Sequence, residues 1–511
     1  RSIRLTHGVG PLCGVGEASE MQSLARTAAG RGRRCVSVLR SPSTKGRQGL
    51  NKDNAEAVAL NKRIVSCTHA DELLMLFKQQ GTSFDDINVA TTIHRLAKMT
   101  ERVGRADPRL EHLAERATKC VPKWGARELA NVVWAVAKLD NIRGTRQLFD
   151  AAAAAIPKKF DKAKPQGLSN VVWAFARAGV DAPLLFDAVA KEALKHMGDF
   201  NSQELANTSW AYAKAGIEAP NLFKAIALEA LKQMHTFNAQ ALANTVWAFA
   251  KAGIGAPALF AAVSEEAPRH LASLTPQALA NMAWAFAKAE HSAPHLFDDV
   301  AEASVKKLPF FNAQEMANLV WAFSNAGYEA PQLYRAVALE APKHLGSFNP
   351  QDLANTVWAY ASAGVVAPSF FEAVAKEAVK KIGQFNSQDL ANTVWAFAAA
   401  DVPAPALFGA VAAEAPGKIA QFNSQALAMT VYAFSKAGVS APLLFDAVAR
   451  EAPNKMDSFT AQECEDLVWA FYKAGVEKPE LFRAIRKVQK LLAAGFDASD
   501  RVGLQDLDCL K

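Results

Sequence analysis

A tryptophan recurs at a fixed interval through most of this chain, and this spacing constrains the fold more than any other feature. Seven tryptophans, from Trp173 to Trp395, lie 37 residues apart, and Tyr432 and Trp469 continue the series. Trp134 precedes Trp173 by 39 residues, and a histidine, at position 94, lies 40 residues further back. A period of this size is typical of arrays whose units bury their apolar faces only against neighbouring units. The spacing predicts ten repeats and one degenerate repeat.

Each repeat contains the start and stop signals of two helices. In the segment NSQELANTSWAYAKAG, Asn201 is expected to cap a helix and Glu204 to complete a capping box. Gly216 is expected to end this helix in the left-handed conformation, and Pro220 to begin a second helix. The pattern predicts an all-α fold, an unbroken right-handed α-solenoid of about ten 37-residue helix-pair repeats over residues 124–482.

The flanking segments complete the predicted domain organisation. Residues 51–123 are expected to form an N-terminal helical cap that includes the degenerate repeat, and residues 483–511 a C-terminal tail. Residues 1–50 contain eight Arg and one Lys against two Glu, which accounts for the whole net charge of +7. Such a composition is typical of an organelle transit peptide, so this segment is predicted to be a disordered basic targeting segment. A disordered basic tail or a nucleic-acid-binding arm is the alternative.

Composition and motifs narrow the classes of function. No apolar run has transmembrane length, although 50% of the residues are hydrophobic. The six cysteines are scattered without a CxxC pair, which favours a reduced intracellular protein without a zinc site. The ten histidines form no metal-ligand spacing, and no P-loop, GxSxG or HExxH motif occurs. We therefore expect no catalysis, no metal or other cofactor, no small-molecule substrate and no membrane partner.

Two positions of the first predicted helix recur with unusual regularity. Trp210 and its equivalents are expected to be core aromatics between successive repeats. Asparagine is a poor residue for helix interiors, yet it recurs at the Asn207 position in eight of the ten repeats. In a functional interpretation, its amide bonds to bases or to an extended peptide. In a structural interpretation, its amide ties one repeat to the backbone of the next. The sequence leaves both interpretations open. The eight residues are Asn131, Asn170, Asn207, Asn244, Asn281, Asn318, Asn355 and Asn392.

The repeat resembles a known family. The helix SQELANTSWAYAKAG (202–216), followed by PNLF (220–223), is similar to the octotricopeptide repeats of algal organelle proteins. The segments LNKRIVSCTHADELLMLF (60–77) and NVATTIHRLAK (88–98) resemble FAST-kinase-like proteins and the helical-repeat subunits of the RNA-editing substrate-binding complex. The resemblance covers about residues 51–482.

This resemblance implies an organellar RNA-binding protein that acts in transcript stability, processing or translation. The implied partners are organellar mRNA or rRNA together with other RNA-processing proteins, and the implied location is the mitochondrial matrix or, alternatively, the plastid stroma. Many relatives carry a C-terminal RAP domain. Residues 483–511 show none, so no nuclease-like chemistry is expected from them.

RNA is expected to lie on the first helices of the N-terminal repeats. The charged residues of the first helices give a net charge of +4 in repeats one to five and of −5 in repeats six to ten. A basic residue follows the recurrent Asn by two helical turns, so both lie on one face. The residues predicted to face bases are Asn131, Asn170, Asn207, Asn244 and Asn281. The residues predicted to contact phosphates are Lys138, Arg177, Lys214, Lys251 and Lys288.

The uniformity of this face leaves a rival interpretation open. Repeat proteins that read one base per repeat do so with side chains that differ between repeats, whereas here Gln and Asn recur almost unchanged. Such a groove suits a monotonous or non-specific RNA. It equally suits a protein-binding scaffold that holds an extended peptide, or that assembles a ribonucleoprotein complex without touching RNA. Salt dependence separates the two, because phosphate contacts weaken steeply with ionic strength.

Overall fold

A computed structural model describes residues 52–99, 107–139 and 142–493. Within these ranges every regular element is an α-helix or a short 3₁₀-helix, which confirms the all-α prediction. The predicted targeting segment, residues 1–50, and the part of the predicted tail after Ala493 lie outside the described residues. Among the helices of the described residues, none is long and apolar enough to cross a membrane.

The helices form twelve consecutive pairs in the described part of the chain. We call the odd-numbered member of each pair the first helix and the even-numbered member the second helix. The α-helices are α1 Lys52–Ser66, α2 Ala70–Gln80, α3 Asp86–Lys98, α4 Pro108–Cys120, α5 Ala126–Leu139, α6 Thr145–Ala155, α7 Pro165–Ala178, α8 Pro183–Lys195, α9 Ser202–Ala215, α10 Pro220–Lys232, α11 Ala239–Lys251, α12 Pro257–Glu266, α13 Pro276–Lys288, α14 Pro294–Lys307, α15 Ala313–Ala326, α16 Pro331–Glu340, α17 Pro350–Ser362, α18 Pro368–Lys381, α19 Ser387–Ala399, α20 Pro405–Lys418, α21 Ser424–Lys436, α22 Pro442–Glu451, α23 Ala461–Lys473 and α24 Pro479–Ala493. The 3₁₀-helices are Gly81–Ser83, Val121–Lys123, Ile156–Lys162, Met197–Asp199, Met234–Thr236, Ala267–Ser273, Leu308–Phe310, Ala341–Lys343, Leu345–Ser347, Ile382–Gln384, Ile419–Gln421 and Ala452–Ser458.

The chain divides into two compact units. We call the described residues before Leu274 the N-terminal unit, which contains α1–α12, and the described residues from Leu274 to Ala493 the C-terminal unit, which contains α13–α24. Within each unit the first helices pack on the neighbouring first helices, and the second helices pack on the second helices. Each unit is therefore a stack of helix pairs, and the predicted α-solenoid architecture is confirmed. The right-handed sense of the array stays a prediction.

The repeat pattern extends beyond both predicted edges of the array. The region expected to form an N-terminal cap contains two helix pairs, α1–α2 and α3–α4, which stack on the next pair in the same manner as the later repeats. Helix α3 carries His94 of the degenerate repeat. At the other end, α24 continues to Ala493, beyond the boundary expected at residue 482.

Local capping explains why the first helices start where they do. The Asn201 side chain accepts a hydrogen bond from the Glu204 N–H at 3.0 Å, and the Glu204 carboxylate accepts one from the Asn201 N–H at 2.9 Å. The predicted capping box is therefore confirmed. The same reciprocal pair begins α3, α15, α17, α19 and α23. Because these bonds satisfy donors that the helix itself leaves open, they fix the first residue of the helix.

A left-handed residue follows each first helix from α7 to α23. Gly216 has a φ of +67°, and Gly253 has a φ of +66°. Two repeats place other residues at this position, since Glu290 has a φ of +51° and Asp401 a φ of +55°. The turn is thus kept even where the sequence lacks the glycine that favours it.

The core between the two helix layers is formed by one face of each first helix. Leu205 and Tyr212 are fully buried, and Ala206 and Ala213 form the strip of small residues beside them. The Tyr212 hydroxyl donates to the Phe186 carbonyl oxygen of the preceding second helix at 2.6 Å. The two rings also meet edge to face, with their centroids 5.0 Å apart. Each repeat therefore buries its aromatic residues against the repeat before it.

A recurrent contact near the end of the second helices ties successive repeats together. The Lys381 ammonium donates to the carbonyl oxygens of Gly346 at 2.9 Å and Phe348 at 2.7 Å, both in the preceding repeat. We call this position the clamp position. The same kind of contact is made by Lys159, Gln233, Lys307, Lys418 and Lys455. His196, His270 and His344 occupy the clamp position in three other repeats and lie beside a Glu of their own helix.

Candidate nucleic-acid interface

One stripe of each first helix remains open to solvent. In α9, Gln203 is exposed and Asn207 and Lys214 are half-buried, while Leu205 and Ala206 are buried. Positions 203, 207, 210 and 214 fall within a narrow sector of the helix, at 100° per residue. We call Gln203, Asn207, Trp210, Lys214 and their equivalents the first-helix stripe. The structure thus places the predicted Asn and Lys on the same face.

The indoles of the stripe form a continuous row in the N-terminal unit. The ring centroids of Trp134 and Trp173 are 6.5 Å apart, those of Trp173 and Trp210 6.4 Å, and those of Trp210 and Trp247 6.5 Å. Trp210 and Trp247 are buried, with exposures of 6% and 4%, which confirms the predicted core role. Trp134 and Trp173 are only half-buried, and in the C-terminal unit Trp358 and Trp395 are half-buried and Trp469 is 40% exposed, so the prediction is wrong for these equivalents. There the indole edges belong to the open surface.

The recurrent asparagines are half-buried, except for Asn355, which is buried, and some are held by the glutamine one turn earlier. Gln240 Nε2 donates to Asn244 Oδ1 at 3.1 Å, and Gln388 Nε2 donates to Asn392 Oδ1 at 2.7 Å. These contacts lie within one helix. They orient the amide on the stripe, whereas the structural alternative required a bond to the backbone of the next repeat.

A row of basic residues runs beside the indoles. Lys138, Arg177, Lys214 and Lys251 occupy the same stripe position in four successive first helices of the N-terminal unit, and all four are half-buried. Lys98 extends the row into the degenerate repeat, which the sequence reasoning missed. The signal was available, because Lys98 follows His94 by four residues just as each basic residue follows its tryptophan.

Positive charge is concentrated at the start of this row. The Lys138 ammonium lies 5.2 Å from the centroid of the Trp134 ring, within the range of a cation–π contact. Burial, and then the nearby charge of Lys98, lowers the pKa of Lys138. Burial also lowers the pKa of His94 to about 4, helped by Lys98, Lys138, Arg127 and other cations. At neutral pH His94 is therefore uncharged, and the surrounding positive potential comes from Lys and Arg.

The stripe of the C-terminal unit has a different charge. It begins with Asn281 and Lys288, so the fifth predicted Asn–Lys pair belongs to this unit and is not brought together with the other four by the N-terminal stack. The three following repeats place Asn325, Ser362 and Ala399 where the N-terminal unit has a basic residue. The basic row is therefore interrupted over three repeats.

Two buried carboxylates add to this difference. Asp352 and Asp389 complete the capping boxes of α17 and α19, and both are buried. Burial raises the pKa of each to about 6, although the hydrogen bonds from the cap residues oppose the shift. The negative charge of Asp389 raises the pKa of Asp352 further.

The described residues show no cluster of three or more His, Cys, Asp or Glu side chains that could hold a metal ion. The three histidines at the clamp position illustrate why these residues do not come together in such a cluster. His344 Nε2 lies 3.2 Å from a Glu340 carboxylate oxygen of its own helix, and its equivalents lie in other repeats. Cys67, Cys120 and Cys464 are buried and lie in separate repeats.

A family model described as RNA-editing substrate-binding complex 6 protein matches residues 145–294 and 278–505, which together make up more than half of the chain. A chloroplastic RAP domain-containing protein of Oryza sativa subsp. japonica is 28% identical over 149 residues. That region is 26% of this chain and 23% of the rice protein, so the match spans less than a quarter of this relative.

Two known structures match at low sequence identity. One is a homology model of the full-length AP-3 complex in an intermediate open conformation, with 13% identity over 88% of this chain and 94% of that chain and a TM-score of 0.32. The other is a circular tandem repeat protein with a novel repeat topology and enhanced subunit contact surfaces, with 14% identity over 87% and 88% of the two chains and a TM-score of 0.16. Scores this low carry no argument about the fold.

Proposed function

Because the chain belongs to the family of RNA-editing substrate-binding complex 6 proteins, as its resemblance to helical-repeat subunits of that complex predicted, we propose that it is an organellar RNA-binding protein. It acts in transcript stability, processing or translation and carries no catalytic activity of its own. The observation that supports this proposal best is the unbroken basic row, from Lys98 to Lys251, beside the indoles of the N-terminal unit.

The proposed mode of binding follows the first-helix stripe. Phosphates meet the basic row, and the amides of Asn131, Asn170, Asn207 and Asn244 face bases. Where Asn244 Oδ1 already accepts from Gln240, the amide offers its Nδ2 donors to a ligand. Each phosphate contact with a single strand contributes about −0.7 to the slope of log affinity against log salt. Five contacts, counting Lys98, therefore predict a slope of about −3.5.

Charge reversal on the stripe tests this proposal. We expect replacement of Lys98, Lys138, Arg177, Lys214 and Lys251 by Glu to abolish binding of organellar RNA at moderate salt. A milder set of Gln substitutions at the same positions is expected to reduce the salt slope by about 0.7 per lost contact. The measurement is RNA affinity over a series of salt concentrations. The matched control replaces five exposed lysines of the second helices and of the 3₁₀-helix after α6 with the same residues: Lys158, Lys191, Lys195, Lys224 and Lys232.

The protein-scaffold alternative is favoured by one observation, the neutral stretch of the C-terminal stripe at Asn325, Ser362 and Ala399. A surface without cations there suits an extended peptide better than a phosphate backbone. If the five stripe substitutions leave RNA affinity and salt slope unchanged, the RNA model is wrong and the scaffold function replaces it.

We place the protein in the mitochondrial matrix, with the plastid stroma as the alternative. The composition of residues 1–50 and the chloroplastic location in the name of the rice relative both favour an organelle. Its proposed partners are organellar mRNA or rRNA and other RNA-processing proteins. Fractionation of cells that express the full chain separates the two organelles, and recovery in the cytosol would contradict both.

A further inference from the structure

A cleft on the second-helix side of the N-terminal unit lies apart from the stripe. It has a volume of about 350 Å³ and is formed by the end of α2, the 3₁₀ turn after it, and α4. The cavity is near the lower end of the range for small-molecule sites, about the size for one nucleotide. All of its lining residues belong to the N-terminal unit.

The lining of this cleft is cationic. Lys78, Arg109, Arg116 and Lys119 face a single carboxylate, that of Glu115. Arg109 is already neutralised, since its guanidinium lies 2.7 Å from an Asp71 oxygen and 2.6 Å from an Asp107 oxygen. Together with these two partners, the lining holds four cations against three carboxylates, and Lys78, Arg116 and Lys119 are the cations that do not pair with Asp71 or Asp107. Lys78 and Lys119 each lie in the last turn of their helix, where a cation is ordinarily favoured. That preference accounts for each lysine by itself, but it does not require the two lysines to line one cleft.

Arg116 adds directed donors to this charge. Its Nη2 donates to the Phe84 carbonyl oxygen at 3.0 Å, which fixes the guanidinium against the 3₁₀ turn. Its buried Nε has no hydrogen-bond partner in the structure. A guanidinium has five N–H donors, so a ligand with several acceptor oxygens would complement the group.

We propose that this cleft binds a phosphate-bearing ligand of about nucleotide size, held by Lys78, Arg116 and Lys119. Phosphate oxygens supply several acceptors and the negative charge that the lining lacks. Phe77, which is 9% exposed, gives the cleft an apolar wall. Gly81 leaves room for the Phe77 ring, because a Cβ at position 81 would lie 2.9 Å from the edge of that ring. The ligand is either a free nucleotide or a nucleotide unit of an RNA strand.

The test uses the full chain and labelled AMP as the probe. We expect saturable binding to the wild type and a loss of about tenfold or more in affinity for the K78E/K119E variant, because two cations next to the phosphate are reversed. The matched control is K191E/K224E, which reverses two exposed second-helix lysines of the same unit and is expected to change affinity less than threefold. Equal losses in both variants, or no saturable binding to the wild type, would overturn the proposal.

Two further arms identify the source of the phosphate and separate this site from the stripe. Octauridylate and inorganic phosphate are each used to displace bound AMP. If octauridylate displaces it at a tenfold lower concentration than inorganic phosphate does, the cleft is assigned to RNA. If inorganic phosphate displaces it at the lower concentration, the cleft is assigned to a free nucleotide. The variant with five stripe residues replaced by Glu is expected to keep its AMP affinity within about threefold. Loss of AMP binding in that variant would show that the cleft is not an independent site.

Discussion

At the scale of single residues, the left-handed position after each first helix shows what the fold requires. Gly253 has a φ of +66°, while Glu290 and Asp401 hold similar conformations with full side chains. A left-handed L-residue costs about 1–2 kcal/mol, and the surrounding turn evidently outweighs this cost at two repeats. The turn is therefore set by packing on both sides of it, and glycine lowers its cost.

We expect Gly253→Val to destabilise the chain by about 1–2 kcal/mol. No atom lies within 4 Å of a Cβ placed at Gly253, so the cost is backbone strain without a steric clash. The matched control is Gly255→Val, two residues later, where the space is equally open and φ is not positive. Urea unfolding of both variants measures the difference. Equal midpoints would show that the left-handed conformation is not the cause.

The buried capping carboxylates Asp352 and Asp389 predict an unusual pH dependence. Their folded-state pKa of about 6 lies above the ordinary value of 3.8, so the folded chain binds these protons more tightly than the unfolded chain. Their contribution to the free energy of unfolding therefore falls as the pH rises from about 4 to about 6 and is constant above that. Two pKa units correspond to at most about 3 kcal/mol per group.

We expect D352N/D389N to be more stable than the wild type at pH 7.5 by about 1–3 kcal/mol, and the difference to vanish near pH 4. The amide oxygen of Asn still accepts from the cap residue, so the box is retained. Unfolding midpoints at the two pH values give the result. Glu463→Gln, at the half-exposed box of α23, serves as the control. A variant less stable at pH 7.5 would mean that the charges stabilise these caps.

At the scale of helices, the side chain at the clamp position is expected to contribute more to the free energy of unfolding than the side chains next to it. Lys381 is 18% exposed and donates to carbonyl groups of the preceding repeat, whereas Lys380 is 70% exposed and pairs only with Glu377. We expect Lys381→Ala to cost about 1.5–3 kcal/mol and Lys380→Ala less than about 1 kcal/mol. Thermal unfolding of the two variants measures this difference. Similar losses would reduce the clamp to an ordinary surface ion pair.

Features that depend on neighbouring residues were predictable from the sequence. The capping box of Asn201 and Glu204 and the left-handed Gly216 were confirmed, because each is set by residues within one helix or turn. The pair α1–α2 was expected only as part of a cap, since it lacks the Trp and Asn that mark later repeats. The lysine clamp was not foreseen. Its partners lie 33 or more residues earlier, and the position alternates among Lys, His and Gln.

The candidate site was predictable to the same limited extent. Helical periodicity placed Asn207 and Lys214 on one face, and the structure has them there. Periodicity gave no information on how the repeats group, so it did not show that Asn281 and Lys288 belong to the C-terminal unit. It also gave no information on the cleft between α2 and α4, because the lysines that line it are 41 residues apart in the sequence.

At the scale of the whole molecule, neighbour-only packing predicts that damage stays local. In an array of this type, each helix pair is stabilised by its own residues and by the adjacent pairs. We expect Gly253→Val to raise amide hydrogen exchange in α11 and α9 and to leave exchange in α23 unchanged. Mass spectrometry of the full chain measures exchange segment by segment. A uniform increase along the chain would show that it unfolds as a single cooperative body.

The row of indoles in the N-terminal unit has an optical consequence. Neighbouring rings lie 6.4–6.5 Å apart and are tilted by 32–36°, which is close enough for their excited states to couple. Excitation then passes from one indole to the next before it is emitted, so the fluorescence of the native chain is expected to be strongly depolarised. The far-ultraviolet dichroism is expected to carry paired bands of opposite sign in addition to the helix signal. Both signals report the distance between repeats, so they disappear when the stack opens even if its helices survive.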